Sequence, residues 1–364
     1  MKILRVINSL YIGGAERSVA GNVPYHIKNG FAVDVLLLNG AKTFFLEELI
    51  NNNVNIKKLG EGNNIYNPFI TLKICKLLRR YDVVHVSLFP ALYWVGIAKI
   101  ITRSKTKLIY TEHSTYNKRR DNFLLKITDR IIYKQYDEIV AITPETKKNL
   151  LDHLKGKHSV CVIYNGVDIS KVKKEAKEEL SQDIKTRIKG KKIIVQVAGF
   201  RVSKDQDTVI KTIAVLPDNF HVLFVGDGER IQTCKNLTKK LGVEEKVSFL
   251  GMKKNIGAIL KKSDIVVISS HWEGFGRAAI EGMAVRKPVI GTNVSGLAEV
   301  LSKAGLLFEV GDVKELTKLI LELTEDQEFY TKIADKCFKR AEDFDIKKMV
   351  SSYEKVYSKL LKNE

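Results

Sequence analysis

The sequence has few cysteines, and no two of them stand close together. Cys75, Cys161, Cys234 and Cys337 are far apart along the 364 residues. Disulfide frameworks and zinc sites depend on cysteines at short, paired spacings, so neither is expected. Each cysteine stands in an apolar or helical context. We therefore expect buried free thiols in a reducing compartment.

Long apolar runs are also absent from the sequence. No stretch approaches the roughly 20 apolar residues that a membrane-spanning helix needs. The first seven residues predict a β-strand and lack the apolar length of a signal peptide. We expect a cytoplasmic protein, or one that lies peripherally on the inner face of the cell membrane.

The charge of the chain is unbalanced toward basic residues. The 61 Lys and Arg residues outnumber the 42 Asp and Glu residues, which gives a net charge of +19 at pH 7. This excess favours an anionic partner, such as a nucleotide, a nucleic acid or a membrane surface. Residues 99–134 concentrate the excess. Within them, residues 123–136 have the pattern of an amphipathic helix, which either packs on a core with a solvated basic face or contacts an anionic membrane.

Length and composition predict two folded domains. A chain of 364 residues suits two domains of ordinary size, and a hydrophobic content of 45% supplies their cores. Apolar strand-like runs alternate with helical patterns in both halves, which indicates βαβ units and mostly parallel sheets. We assign residues 1–170 to an N-terminal Rossmann-like domain, 171–191 to a linker rich in Lys and Glu, 192–345 to a C-terminal Rossmann-like domain and 346–364 to a C-terminal helix.

Two strand ends in the first half carry candidate ligand-binding residues. Ligands of parallel sheets bind beyond the carboxyl ends of the strands. Gly13 and Gly14 form a strand-to-helix turn at such an end, where the backbone can approach a ligand closely, although the turn is not the G-x-G-x-x-G dinucleotide fingerprint. His113 follows another strand and is either functional or an ordinary loop histidine. For His85, inside an apolar run, a packing role explains the sequence at least as well.

A basic pair precedes a helix in the second half. Arg201 and Lys204 follow a strand, where they are placed to hold a diphosphate: Arg binds two oxygens at once and Lys supplies a point charge. Asp205 and Asp207 have the spacing of a metal-binding pair. Their position in the first helical turn favours helix capping instead. We expect no metal site and no cofactor.

The stretch from His271 to Glu281 combines a glycine turn with two glutamates. A buried strand precedes the turn and a helix follows it, so backbone N–H groups and a positive helix end face an anion there. Glu273 and Glu281 would repel a phosphate, so sugar hydroxyl groups are their expected ligands. The spacing alone fits equally well a plain turn with solvated glutamates.

In their order along the chain, these motifs resemble the retaining glycosyltransferases of family 4. That family has the GT-B fold, with two Rossmann-like domains whose parallel sheets face each other across a cleft. The motifs that carry the resemblance are Gly13-Gly14-Ala15-Glu16-Arg17, Thr111-Glu112-His113, Asn165-Gly166-Val167-Asp168, Arg201 with Lys204-Asp205-Gln206, Gly226-Asp227-Gly228, Phe249-Leu250-Gly251 and Glu273-Gly274-Phe275-Gly276 with Glu281. Each is weak alone, and the ordered set is specific. One spacing differs, because Phe200 separates the glycine from Arg201, whereas many members place the arginine directly after the glycine.

The resemblance implies which residues hold the nucleotide. Arg201 and Lys204 would bind the diphosphate of a nucleotide sugar, with help from the Gly13-Gly14 turn through the amide of Gly14. Glu281 would accept hydrogen bonds from the ribose hydroxyls.

The resemblance also implies which residues surround the transferred sugar. Glu273 would accept hydrogen bonds from its hydroxyls, and the backbone of Phe275 and Gly276 would lie near it. His113 would sit beside the reacting sugar.

By this resemblance the protein is a retaining glycosyltransferase that moves a hexose or related sugar from a nucleotide sugar, for example a UDP-sugar, to a glycan or lipid-linked acceptor in bacterial surface polysaccharide synthesis. The basic residues 99–134 add an anionic membrane surface as a partner, and no nucleic acid is expected. One alternative is a nucleotide-sugar epimerase of the same fold, against which the two glutamates argue. The other is a non-catalytic basic binding module, for which Tyr110, Tyr116 and Tyr133 would be the surface aromatics.

Overall fold

The chain folds into two α/β units, each built on one parallel sheet. The computed structural model describes residues 1–11, 13–62, 64–114, 122–156, 158–253 and 255–362. The first unit comprises Met1–Gly166 and Ile346–Glu364, and the second unit comprises Val167–Asp345. No helix within the described ranges has the length and apolar character needed to span a bilayer.

The first unit alternates strands and helices along the chain. Its strands are β1 (Lys2–Ile7), β2 (Ala32–Leu37), β3 (Asn55–Lys58), β4 (Val83–Ser87), β5 (Lys107–Glu112), β6 (Glu138–Ala141) and β7 (Val160–Val162). Its helices are α1 (Gly14–Lys28), α2 (Phe44–Asn51), α3 (Ile70–Leu78), α4 (Ala91–Thr102), α5 (Phe123–Tyr133), α6 (Pro144–Leu154) and, from the end of the chain, α16 (Ile346–Lys362). The strands pair in parallel in the order β3-β2-β1-β4-β5-β6-β7.

Helices cover both faces of this sheet, so successive strand residues enter two different cores. Leu4 and Val6 of β1 pack in the core that includes α3 and α4, while Ile3 and Ile7 pack in the core that includes α1 and α16. Strands buried on both faces are apolar almost throughout, as the sequence is here.

Helix α16 belongs to the first unit although it follows the second unit in sequence. Its buried residues recur every three or four positions, which gives one apolar face. Tyr353 and Tyr357 lie on that face and reach the sheet, where the Tyr357 hydroxyl is 2.7 Å from Nδ1 of His85.

The second unit repeats the α/β pattern with six strands. They are β8 (Lys192–Val197), β9 (Phe220–Val225), β10 (Val247–Phe249), β11 (Ile265–Ile268), β12 (Val289–Thr292) and β13 (Leu306–Phe308), paired in parallel in the order β10-β9-β8-β11-β12-β13. The helices are α7 (Ile169–Glu175), α8 (Gln182–Ile188), α9 (Gln206–Val215), α10 (Ile231–Lys240), α11 (Gly257–Lys262), α12 (Arg277–Ala284), α13 (Leu297–Leu301), α14 (Val313–Glu325) and α15 (Gln327–Ala341).

The segment 171–191, expected to be a linker, differs from that expectation. It holds most of α7 and all of α8, and both belong to the second unit. Helix α7 packs tightly on α11, since a Cβ added to Gly257 would lie 2.6 Å from the carbonyl oxygen of Val172. Each of these helices buries only a few apolar side chains, so the highly charged segment lacks the apolar periodicity that predicts a helix.

The four cysteines are free thiols, as expected. Cys234 and Cys337 are buried, while Cys75 and Cys161 are only half-buried.

Candidate active site

Two loops of the second unit run side by side beyond the carboxyl end of its sheet. Residues 203–205 follow β8, residues 269–271 follow β11, and Lys204 and Ser270 form an antiparallel bridge between them. Backbone hydrogen bonds of 3.0 and 3.1 Å flank the bridge. The loop that carries the basic pair is therefore fixed to the start of the glutamate stretch.

This pairing places the Lys204 ammonium against the Glu273 carboxylate. The two groups form an ion pair, and Nζ of Lys204 also lies 3.3 Å from Oγ of Ser270. The side chains of Lys204 and Glu273 are 20% and 18% exposed. The residue expected to bind phosphate and the residue expected to bind sugar are thus direct neighbours, partly shielded from water.

Asp205 holds the start of helix α9. One carboxylate oxygen accepts the backbone N–H of Thr208 at 3.2 Å, and the other accepts the hydroxyl of Ser269 at 3.1 Å. Asp207 forms a two-point ion pair with Nη2 of Arg230 at 2.8 and 3.0 Å. The capping role predicted for Asp205 is confirmed, and both carboxylates are engaged within the protein.

Arg201 is exposed at the same strand end. Its carbonyl oxygen accepts the backbone N–H of Lys204 at 2.9 Å, so the two basic residues lie on one tight turn. Among the described residues, no carboxylate lies within ion-pair distance of its guanidinium. Arg201 is therefore a cation that a ligand can reach.

The glycine turn of the glutamate stretch has little room for side chains. Gly276 precedes α12 with φ +80°, a left-handed conformation that favours glycine. A Cβ added to Gly296 of the neighbouring loop would lie 2.6 Å from the carbonyl oxygens of Glu273 and Gly274. Phe275 is buried and packs edge-on to Phe344, with ring centres 5.5 Å apart. The turn is held rigidly next to the Lys204–Glu273 pair.

Glu281 lies on the buried face of α12, near a second buried carboxyl group that the sequence analysis did not single out. That group is Glu175 of α7. Burial raises the pKa of Glu175 most, and the negative charge of Glu281 raises it further. The backbone N–H of Gly257, 3.3 Å from Oε2 of Glu175, and the charge of Lys171 oppose the shift. The apolar spacing of Ile169 and Val172 was the available signal for helix α7 and for Glu175 on it.

The predicted residues of the first unit also stand at strand ends. Gly13 follows β1 and caps α1, and Gly14 is the first helical residue. The Glu16 side chain folds back over Gly13, and burial raises the pKa of its carboxyl group. A Cβ added to Gly14 would have no described atom within 4 Å. The amide-bearing start of α1 is therefore open at Gly14.

His113 follows β5 and faces the end of β4. Its Nε2 lies 3.3 Å from Oγ of Ser87, and no described group pairs with its buried Nδ1. Burial, and to a lesser degree the positive charge of Arg5, lower the pKa of His113 to about 3. The imidazole is therefore neutral at physiological pH.

His85 is fully buried in a polar cluster beneath these strand ends. Its Nε2 lies 2.7 Å from Oγ1 of Thr111, and its Nδ1 contacts both Arg5 and the hydroxyl of Tyr357. This arrangement supports the packing interpretation of His85, since the cluster fastens α16 to the sheet.

Two of the three tyrosines considered for nucleic-acid stacking are not on the surface. Tyr110 and Tyr133 are buried and pack against each other, with ring centres 5.5 Å apart. Tyr116 and the basic residues 118–120 lie outside the described residues. The described part of the basic stretch thus lacks the exposed tyrosines that a stacking surface needs.

Two family models match the chain. "Glycosyltransferase Family 4" matches residues 12–171 and "Glycosyl transferases group 1" matches residues 176–340, so that together they cover most of both units. The chain belongs to the family 4 glycosyltransferases. The predicted membership and the predicted glycosyltransferase activity are confirmed.

Two named relatives align with most of the chain. It is 27% identical over 308 residues to the N-acetyl-alpha-D-glucosaminyl L-malate synthase of Bacillus anthracis, an alignment that covers 82% of this chain and 81% of the relative. It is also 27% identical over 353 residues to the N-acetylgalactosamine-N,N'-diacetylbacillosaminyl-diphospho-undecaprenol 4-alpha-N-acetylgalactosaminyltransferase of Campylobacter jejuni, which covers 93% of this chain and 94% of the relative.

Solved structures show the same fold over the full length. A crystal structure of Anabaena HepE in complex with UDP and glucose matches with a TM-score of 0.83 at 20% identity, covering 99% of this chain and 100% of that one. A glycosyltransferase from Rickettsia africae matches with a TM-score of 0.85 at 23% identity, covering 100% and 99%. The predicted GT-B fold is confirmed.

Proposed function

We propose that this glycosyltransferase moves a sugar from a UDP-sugar to a glycan or lipid-linked acceptor, with retention of anomeric configuration, in the synthesis of a bacterial surface polysaccharide. The observation that carries the proposal is the contact between Lys204 and Glu273 at the sheet edge of the second unit. One side chain suits a phosphate oxygen, and its neighbour suits a sugar hydroxyl.

The charges near this contact suit the departure of a diphosphate. Breaking the sugar–phosphate bond develops negative charge on the diphosphate and positive character on the sugar. Lys204 and the backbone N–H groups at the start of α12 are donors held in place, which stabilise developing charge without reorganisation, and Arg201 adds an exposed cation at the same strand end. We propose that these groups serve in place of the divalent ion of metal-dependent transferases.

Retention requires the acceptor to attack from the face that the diphosphate leaves. In this step the acceptor hydroxyl forms the new bond to the anomeric carbon as the bond to phosphate breaks. The departing phosphate oxygen takes the hydroxyl proton. No enzyme nucleophile is assigned, and the role of His113 beside the sugar stays a prediction.

The similar proteins support the choice of donor and acceptor. The crystal structure of Anabaena HepE contains UDP and glucose, and the name of the Campylobacter jejuni relative specifies a diphospho-undecaprenol acceptor. We infer a UDP-sugar and a lipid-linked or glycan acceptor for this chain by that likeness.

A thermal-shift panel of UDP- and GDP-sugars, followed by turnover of the stabilising donor, tests the proposal. We expect a UDP-sugar to raise the melting temperature and, with acceptor, to release UDP and a product of unchanged anomeric configuration. An epimerase would instead convert the donor to an isomer without acceptor. A product of inverted configuration would contradict retention.

We also propose that the first unit contacts an anionic membrane through α4 and α5. Four isoleucines on these adjacent helices, Ile100, Ile101, Ile127 and Ile131, are 43–57% exposed. The exposed cations Arg103, Lys105 and Lys134 stand close to them in sequence. Apolar side chains among cations match an anionic lipid surface, where each cation contributes about 1 kcal/mol.

Co-sedimentation with phosphatidylglycerol vesicles at low salt tests this surface. We expect binding that falls when Ile127 and Ile131 are both replaced by Ser. Replacement of Ile50, which is equally exposed on α2, by Ser is the control and should leave binding unchanged. Wild-type protein that stays in the supernatant would contradict the membrane proposal and leave the donor assignment intact.

A further inference from the structure

A small cavity lies in the first unit at the carboxyl ends of β2 and β3. Its volume is about 220 Å³. Leu38, directly after β2, and Ile70, at the start of α3, are buried side chains in its wall. Pockets for drug-sized ligands run from about 300 to 1,000 Å³, so this cavity suits a single ring.

Two side-chain amides in the wall of the cavity have hydrogen-bonding groups without a partner among the described residues. Oδ1 of Asn67 accepts the backbone N–H of Phe69 at 3.0 Å, which orients the Asn67 amide and leaves its NH₂ group without a partner among the described residues. Asn64 is exposed, and its side-chain amide has no described partner either. An amide offers both a donor and an acceptor, as a sugar hydroxyl does.

An aromatic ring stands beside these amides. Phe69 lines the cavity and is 70% exposed, and Tyr66, three residues earlier, is 62% exposed. Aromatic faces carry negative charge density and attract the weakly positive C–H groups of a ring packed on them. An exposed phenylalanine next to amides with unused hydrogen-bonding groups suits one face of a sugar ring.

The rim of the cavity is held by hydrogen bonds that connect neighbouring strand ends. Oδ1 of the buried Asn39 accepts the backbone N–H groups of Ala41 and Gly62 at 3.0 and 3.2 Å. The backbone N–H of Asn39 in turn donates to the carbonyl of Asn8, directly after β1, at 2.7 Å. A rim that is already ordered loses little conformational freedom when a ligand binds.

We propose that this cavity binds a sugar residue of the acceptor, which rests on the proposed function as a transferase with a glycan acceptor. The cavity lies at the carboxyl ends of the strands, the edge of the sheet that also carries Gly13 and His113, and parallel sheets bind their ligands at that edge. The sugar packs one face on Phe69 and gives hydroxyl hydrogen bonds to Asn64 and Asn67.

The charge of the cavity favours a sugar over the diphosphate of a lipid carrier. Lys73 is the basic residue in its wall, and its ammonium already donates to the carbonyl of Leu59 at 2.9 Å. The carboxylate of Glu61 also lines the cavity and pairs with Lys58 at 3.8 Å, so the lining has no excess of positive charge to hold a diphosphate.

Saturation-transfer NMR on the full chain with methyl glycosides of glucose, galactose, N-acetylglucosamine and N-acetylgalactosamine tests the proposal, with inorganic pyrophosphate as a competitor. We expect saturable binding of at least one glycoside, which pyrophosphate does not displace. Phe69→Ala and Asn64→Ala should weaken it about fivefold or more. Leu72→Ala, which removes an exposed apolar side chain one turn along α3, is the matched control and should not change it.

No glycoside binding, or binding that Phe69→Ala leaves unchanged, would overturn the assignment of the cavity. So would displacement of the glycoside by pyrophosphate. UDP binding measured by calorimetry on the same variants separates this outcome from failure of the proposed function. A variant that binds UDP as the wild type does is folded. A wild type that binds no nucleotide contradicts the transferase proposal, and the glycoside result then shows on its own whether the cavity binds a sugar.

Discussion

Lys204, on the loop after β8, forms an ion pair with Glu273, on the loop after β11, and the two loops are joined by a backbone bridge at Lys204 and Ser270. A phosphate oxygen that binds the Lys204 ammonium must therefore share it with the Glu273 carboxylate. If Lys204 binds the leaving group and Glu273 binds the sugar, as we propose, the pair couples the two recognition events. Removing either side chain leaves the charge of the other without its partner.

Substitutions in this pair should separate nucleotide binding from transfer. Lys204→Ala should weaken UDP binding about tenfold or more, since it removes a charged hydrogen bond. Glu273→Gln should leave UDP binding equal or tighter, because it frees the ammonium, while sugar transfer falls about a hundredfold or more. Titration calorimetry with UDP and turnover assays measure the two effects. Lys211→Ala, an exposed lysine on α9, should change neither. Equal loss of UDP binding in both variants would contradict the coupling.

The glycine loop beside Glu273 should not tolerate a side chain. Gly296→Ala puts a Cβ 2.6 Å from two carbonyl oxygens at φ +74°, so the loop must shift. Gly242→Ala has a similar φ of +66° with no described atom within 4 Å of the added Cβ. Positive φ costs alanine about 1 kcal/mol or more at either position, and the cost is larger at Gly296, whose ψ of −51° lies outside the left-handed helical region. Urea unfolding should show a clearly larger loss of stability for Gly296→Ala, together with lower turnover. Equal losses of stability in the two variants would show that the loop relieves the close contact between the added Cβ and the carbonyl oxygens of Glu273 and Gly274 at no cost.

His113, whose ring nitrogen Nδ1 is buried, should make the folded protein less stable in acid. Its folded pKa of about 3 lies below the ordinary value of 6.5, so only the unfolded chain takes up this proton between those values. The contribution of the neutral imidazole to the free energy of unfolding is complete above pH 6.5 and is lost as the pH falls toward 3. The free energy of unfolding then falls by up to about 1.4 kcal/mol per pH unit. Urea unfolding of His113→Asn between pH 7 and 4.5 should show a shallower dependence than the wild type. His271→Asn, at an exposed histidine, should match the wild type.

Metal removal should leave catalysis unchanged if Lys204 and Arg201 neutralise the leaving group. Transfer measured in excess EDTA should equal transfer in magnesium. Arg201→Ala should lower kcat about tenfold or more, and Arg201→Lys should recover part of it, because lysine restores the charge without the two-point geometry. Activity that disappears with EDTA and returns with a divalent ion would contradict the proposal that Lys204 and Arg201 neutralise the leaving group.

Much of the fold was predictable from local sequence patterns. Alternating apolar runs predicted parallel α/β sheets, and the ordered motifs predicted the GT-B fold and the glycosyltransferase family. The Lys204–Glu273 contact was not predictable in the same way, because it depends on two loops, 69 residues apart in sequence, that pair only beyond the strand ends. The segment 171–191 was missed as part of the second unit because its helices bury few apolar groups. Asp168, whose side chain caps α7 at 2.8 Å from the N–H of Lys171, places the start of that unit earlier than residue 171.

The fate of a labelled UDP-sugar tests the central claim most directly. The protein, a UDP-hexose labelled in the sugar and bacterial membranes that supply lipid-linked acceptors are incubated together, and the label is followed into UDP-hexose, free sugar and the lipid or polysaccharide fraction. We predict release of UDP and label in the lipid or polysaccharide fraction, both abolished in Lys204→Ala. Label that remains in the nucleotide sugar, unchanged or as an isomer, would contradict the account.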